Sequence, residues 1–206
     1  MKKAFSRYED ISNLYDEVCL CDDQIVTFKK FENITFDEKI KFYSFENCLF
    51  ENCTFKGNFI NCTFFNVKFN KCELSNIVFE SCGIKKSYID SSRMVGVNII
   101  KSKVQTCDFI NSNHLMINFD EVELDNVIFN NVKMCNSNLT SVRIINTKFK
   151  NVDFTSSEFI TTSLNEVDLS DSIIDGIQIH PDFLRGVIVT QVQAIDFINL
   201  LGIIVK

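Results

Sequence analysis

The chain is short of the residues that shape ordinary turns: its 206 residues include one proline and six glycines, and no tryptophan. It has two histidines, His114 and His180, which leaves little room for a histidine-based triad or a histidine metal cage. HExxH, GxSxG and phosphate-loop spacings are absent. No apolar run approaches the ~20 residues of a membrane span, and the opening MKKAFSRYEDISN turns charged too early for a secretory signal. Basic residues are outnumbered, 21 against 27 acidic, for a net charge of −6. Direct nucleic-acid binding is therefore not expected, since phosphate contacts need lysine and arginine. These absences argue against an enzyme, a cofactor or a membrane protein. Nine cysteines without paired CxxC spacing read as free thiols in a reducing cytoplasm. Cys19 and Cys21 form a CxC pair that lacks further metal ligands.

What is present is a core-forming composition, 46% hydrophobic with 21 phenylalanines, and a strict period. From Phe64 to Ile179 every fifth residue is apolar except His114. Two positions before each of these centres, from Cys62 to Ile177, stands only Cys, Val, Ile, Ser or Thr. The residue two after the centre is mostly polar, as at Asn66, Asn76, Asn126 and Asn151. A period of five suits neither a helix, with 3.6 residues per turn, nor a flat strand, with two. It suits an all-β solenoid in which each unit makes one side of a coil, buries one large and one small side chain, and turns at a corner. Corners built from Asn, Ser and Asp, which bond their own backbone, need neither glycine nor proline.

Upstream, Phe45, Phe50, Phe55 and Ile60 follow the rule, with a one-residue slip between Phe55 and Phe59. Phe31 and Phe36 add two units, and residues 37–43 (DEKIKFY) break the register as a small loop. The expected organisation is an N-terminal cap or arm over 1–24, repeats over 25–181, and a C-terminal segment over 182–206. In that last segment Thr190 and Gln193 form a capping-box pattern before an apolar helix at about 191–201. Six cysteines (48, 53, 62, 72, 82 and 107) fall in the small inward column and are read as packing groups. His114 is read as a buried histidine bonded within its coil, or as a bulge bringing Leu115 inward.

Units such as FENCLFENCTF, NVDFT and EVDLSDS resemble the pentapeptide-repeat motif A(D/N)LXX. The resemblance implies a right-handed quadrilateral β-helix with four units per coil and a short C-terminal α-helix. Phe45 to Ile179 would make about seven coils, roughly 34 Å at strand spacing. The tail GVIVTQVQAIDFINLLGIIVK serves either as a cap or, as its similarity to the Qnr/MfpA quinolone-resistance family implies, as a dimerisation helix. A tail-to-tail homodimer would use Val192, Ile195, Phe197, Ile198, Leu201 and Ile203. Those proteins bind type II topoisomerases, and the resemblance makes DNA gyrase or topoisomerase IV the expected partner, engaged by DNA mimicry. A generic repeat scaffold with another protein partner is the alternative.

Charge is segregated along the chain. Lys56 to Lys103 carries eight bases and three acids, whereas residues 151–182 carry seven acids and no lysine or arginine. Asp153, Glu158, Glu166, Asp168, Asp171 and Asp175 are the candidate partner-binding acidic face. Relatives of the Qnr type carry two loops that matter for drug protection; here the frame from Phe59 to Ile179 is unbroken, and only 37–43 is a candidate loop.

Overall fold

The computed structural model describes residues 14–16 and 24–200. The backbone winds into a parallel solenoid with four faces, one five-residue unit on each. Face 1 is a seven-stranded sheet with inward centres from Val26 and Phe45 to Leu124 and Ile144. Face 2 has eight strands, begins with Tyr15–Asp16 paired to Lys29–Lys30, and runs through Phe31, Phe50 and Phe69 to Phe149. Face 4 has eight strands with centres from Ile40 and Phe59 to Phe159 and Ile179. Face 3 joins its first two coils through Thr35–Phe36 and Thr54–Phe55. Higher up, its neighbours meet through isolated bridges such as Glu73 with Arg93 and Asn113 with Lys133.

All pairings are parallel and advance by one coil, so like stacks on like. Phe31 lies 4.8 Å from Phe50, Phe50 lies 5.0 Å from Phe69, and Phe109 lies 4.8 Å from Phe129, each pair nearly parallel. That spacing is the strand separation of a sheet, so the ladder itself imposes the ring stacking. Between faces the rings meet edge-on, as Phe45 meets Phe50 at 72°. The six cysteines of the small column are buried and free. Neighbouring thiols Cys53 and Cys62, together with burial, hold Cys72 and Cys82 well above the ordinary thiol range, so these two pack as neutral groups.

The polar corner column has a conformational cause. The residue two after the centre adopts positive φ in coil after coil, and 12 of the 26 non-glycine residues with positive φ are asparagine. The left-handed region disfavours most side chains and tolerates asparagine best among them. Stacked corner asparagines also bond one another: Asn131 donates to Asn111 at 2.7 Å and Asn151 to Asn131 at 3.1 Å.

Residues 37–43 are not a loop. The centre after Phe36 is Ile40, four residues on, buried and paired in register with Phe59. The step from Phe36 to Ile40 repeats the four-residue step from Phe55 to Phe59, and the two lie at the same corner of successive coils. Both coils therefore measure 19 residues and stay in register, as Phe31 with Phe50 and Phe45 with Phe64 show. Lysines at 39 and 41 flank Ile40 and hide it in the sequence.

Candidate partner-binding end

The acidic segment forms a collar rather than a face. Twenty residues make one lap, so acids contiguous in sequence spread around the rod. Asp153 and Asp175 fall on face 3, Glu158 on face 4, Glu166 at the corner between faces 1 and 2, Asp168 on face 2, and Asp171 at the corner that follows. A single face would need acids twenty residues apart, and the sequence does not supply them there. None of the six makes an ion pair within 4 Å of a described lysine or arginine. Glu166, Asp168, Asp171 and Asp175 are exposed, while Asp153 and Glu158 are half-buried.

Two of these carboxylates also build backbone. Asp153 Oδ1 accepts from the Thr155 amide at 3.0 Å and from its hydroxyl at 2.6 Å. Asp168 Oδ1 accepts from the Ser170 amide at 2.9 Å and from its hydroxyl at 2.5 Å. Burial pushes the Asp153 carboxyl up, but the bonds from Thr155 and Cys135 and the nearby Lys133 outweigh it and leave it below its ordinary value. The Ser170 bonds lower Asp168 in the same direction.

Above the collar the chain makes a 3-10 turn at Pro181–Leu184 and then helix α1, Gln191–Leu200. Its N-terminus is a reciprocal capping box: the Thr190 amide donates to Gln193 Oε1 at 2.8 Å and the Gln193 amide to Thr190 Oγ1 at 3.2 Å. Gln193 Nε2 also donates to the carbonyls of Leu169 and Ser172 at 2.9 and 2.7 Å, tying α1 to the last full coil. Phe197 is buried in its own chain's core, which corrects the expectation that it faces a partner. Ile198 is half-buried, while Val192 (75% exposed), Ile195 and Leu200 remain open. Leu201 and Ile203 lie outside the described residues.

The strand ladder breaks at this end, which the sequence does not foretell. The coil of residues 161–180 joins the coil beneath it on faces 3 and 4, through Ile173 N to Val152 O at 2.9 Å and the pairing of Phe159 with Ile179. On faces 1 and 2 the ladder stops. The break coincides with a change of turn. On face 3 the units close tight turns, such as Ile117 N to His114 O at 3.1 Å and Ser157 N to Phe154 O at 2.9 Å. In this last coil faces 1 and 2 adopt the same turn, Val167 N to Leu164 O at 3.0 Å and Ser172 N to Leu169 O at 2.9 Å. Beneath them lie the extended strands Arg143–Ile145 and Lys148–Asp153. On face 3 a turn unit still meets an extended strand through the Thr54–Glu73 bridge, but on faces 1 and 2 no such bridge forms and a wedge opens. It holds two adjoining spaces of about 530 and 490 Å³ that share Asn146, Thr147 and Glu166. Ile144 and Thr147 at its floor are half-buried, unlike Leu124 and Val127 one coil below.

His114 stands in the centre column of face 3 and is fully buried, so Leu115 is not drawn inward by a bulge. It packs edge-on against Phe109 at 5.3 Å, and neither ring nitrogen has a hydrogen-bond partner, contrary to the expected bonding within its coil. Burial pushes its pKa down to about 3. No His, Cys, Asp and Glu cluster suited to a metal ion occurs among the described residues, and none of their helices is long and apolar enough to cross a membrane.

Residues 105–140, 117–155 and 137–176 match the family model described as Pentapeptide repeats (8 copies). Residues 105–176 are thus a run of pentapeptide repeats. Among solved structures, the chain is similar to a trypsin-treated form of QnrB1, a plasmid-mediated fluoroquinolone resistance protein. That match has 20% identity and TM-score 0.41, and covers 88% of this chain and 98% of that one. Another is HetL, a pentapeptide-repeat protein involved in heterocyst differentiation regulation from the cyanobacterium Nostoc sp. strain PCC 7120. It is 8% identical with TM-score 0.26, covering 86% of this chain and 87% of that one. A third is Rfr23 from the cyanobacterium Cyanothece 51142, 14% identical with TM-score 0.25, covering 65% and 64%. No curated protein matches the chain in sequence.

Proposed function

We propose that this protein is a Qnr-like binding module that engages a type II topoisomerase, DNA gyrase or topoisomerase IV, as a protein partner and modulates it or protects it from fluoroquinolones. The observation that carries this reading is the unpaired acidic collar directly beneath an apolar helix with an open stripe. Val192 and Ile195 lie three residues apart on one side of α1 and give a second copy an apolar seat. Two rods joined there would place two acidic collars back to back at the centre of a long rod. A basic DNA-binding saddle would be attracted to such a surface.

The unbroken rod favours binding over full drug protection. With residues 37–43 wound into the coil, the described chain from 24 to 190 carries no inserted loop to reach beyond the collar. The same feature suits the second reading, a plain repeat scaffold with a different protein partner. A supercoiling assay with gyrase, a fluoroquinolone and increasing protein decides between them. Restored or inhibited supercoiling supports topoisomerase engagement; no effect over a wide dose range leaves the scaffold.

A further inference from the structure

The wedge leaves a sheet edge unpaired. One coil lower, the Arg143–Ile145 strand is joined to its neighbour by Arg143 N to Val122 O at 2.9 Å and Asn126 N to Ile145 O at 2.9 Å. The equivalent bonds above it, from the Ser163 amide to Val142 O and from the Asn146 amide to Asn165 O, are not made. The Asn165 amide, which in register would reach down to Ile144 O, instead donates to Ser163 Oγ at 3.3 Å, while the Leu164 amide makes its regular upward bond to Phe183 O at 2.9 Å. Donors and acceptors in strand register thus face an open space lined by Ile145, Val167 and Phe183. Such an edge recognises another backbone.

Side chains narrow the choice. A charge ladder climbs this column of face 1: Glu123 takes Lys103 at 2.7 Å from below and Arg143 at 3.3 Å from above. The next rung in sequence is Ser163, which is uncharged and whose hydroxyl accepts from the Asn165 amide at 3.3 Å. An acid at that height would complete the ladder on Arg143, and an apolar neighbour would cover the half-buried Ile144. We propose that the Arg143–Ile145 edge docks an extended, acidic segment of a partner polypeptide, added in parallel where the next coil has turned aside.

The chain's own strand beneath supplies the probe. Glu123, Leu124 and Asp125 pair in parallel with Arg143, Ile144 and Ile145. A capped peptide copying residues 120–127 (DEVELDNV) should bind the upper edge as that strand binds the lower one. In hydrogen exchange on the whole protein, the Ile144 and Asn146 amides should exchange fast alone and slow with peptide. Peptide carrying Glu123→Lys, or N-methylated at the Glu123 and Asp125 positions, should bind about tenfold weaker or worse. Three results overturn the proposal. Protection of these amides in the free protein would show the edge already paired. Failure of the native-sequence peptide to bind at millimolar concentration, or equal binding by the N-methylated peptide, would show that the edge does not capture a backbone. These readouts need no protein variant and no topoisomerase, so they stand apart from the function proposed above.

Discussion

Gly57 sits against the backbone of Glu38 in the coil beneath: a Cβ built on it would lie 1.7 Å from the Glu38 carbonyl oxygen. The approach comes from the two stacked four-residue corners, which draw the chain inward where every other corner spends five residues. The Lys56 ammonium reaches Asp37 at 2.7 Å across the same corner. Gly57→Ala must push two backbones apart and should destabilise the protein by about 1–3 kcal/mol, measured by denaturant unfolding. Alanine at Gly83, where the nearest atom would be the Thr63 methyl at 3.9 Å, should be tolerated.

Thr106 holds φ of 53° at a corner where other coils place asparagine. A β-branched residue is strained in that region. Thr106→Asn should therefore raise stability by about 0.5–1 kcal/mol, since asparagine adopts the conformation more readily. An unchanged or lowered melting midpoint would count against a conformational origin for the asparagine column.

His114 gives the fold an acid-sensitive element. Its folded pKa, about 3, lies below the ordinary 6.5, so between these values the unfolded chain takes up a proton that the folded chain refuses. Stability from this group is therefore full above pH 6.5 and declines as pH falls, by up to about 1.4 kcal/mol per pH unit. The lowered carboxylates Asp153 and Asp168 act in the same direction but only below about pH 4. The ring also buries two unpartnered nitrogens. His114→Met matches the Met94 and Met134 centres one coil away, removes both nitrogens, and should add about 1–3 kcal/mol at pH 7. In thermal melts from pH 7 to 4.5 the variant should lose less stability than the parent.

The rod was legible because the period of five is enforced at every coil: a centre and a small inward residue must recur or the ladder loses its core. The break at Ile40 was not, because a missing residue between two lysines looks like a polar loop until Phe59 is seen above it. The wedge was not legible either. Tight-turn units have a short acceptor before the centre, as Asn113 bonding the Leu115 amide and Asp153 bonding that of Thr155. Asn98 and Asn118 occupy the same position in extended units of face 4, so residue type alone does not choose the turn. The acids resemble one face in the sequence for a simpler reason: nearness in sequence is nearness in height on this fold, and only a spacing of about twenty gives nearness on a side.

The helix separates capping from association. Phe197 is buried within its own chain, so Phe197→Ala should cost about 3 kcal/mol in stability whatever the oligomeric state. Val192 and Ile195 are exposed, so replacing both with serine should leave the melting midpoint of dilute protein within about 0.5 kcal/mol. If α1 seats a second copy, the double variant should shift the mass in light scattering from dimer to monomer. A parent protein that is monomeric at micromolar concentration would remove the dimer from the functional model.

The collar makes charge and turn separable. Asp168→Asn keeps an oxygen for the Ser170 amide and loses only the charge, whereas Asp168→Lys loses both. If the collar attracts a basic partner, Asp168→Asn should weaken binding modestly and mainly through the association rate. Reversal of Glu166 and Asp175, whose carboxylates bond no neighbour among the described residues, should weaken it more while leaving the far-ultraviolet dichroism unchanged. The loss should shrink as salt rises, because exposed charges are screened beyond about 8 Å at physiological ionic strength. Position on the rod gives the sharper readout. A saddle gripping one side would respond to Asp168 and Asp171 and ignore Glu158 on the far face, whereas a partner that encircles the rod would respond to all three alike. Surface plasmon resonance against gyrase with each substitution made singly would tell the two apart.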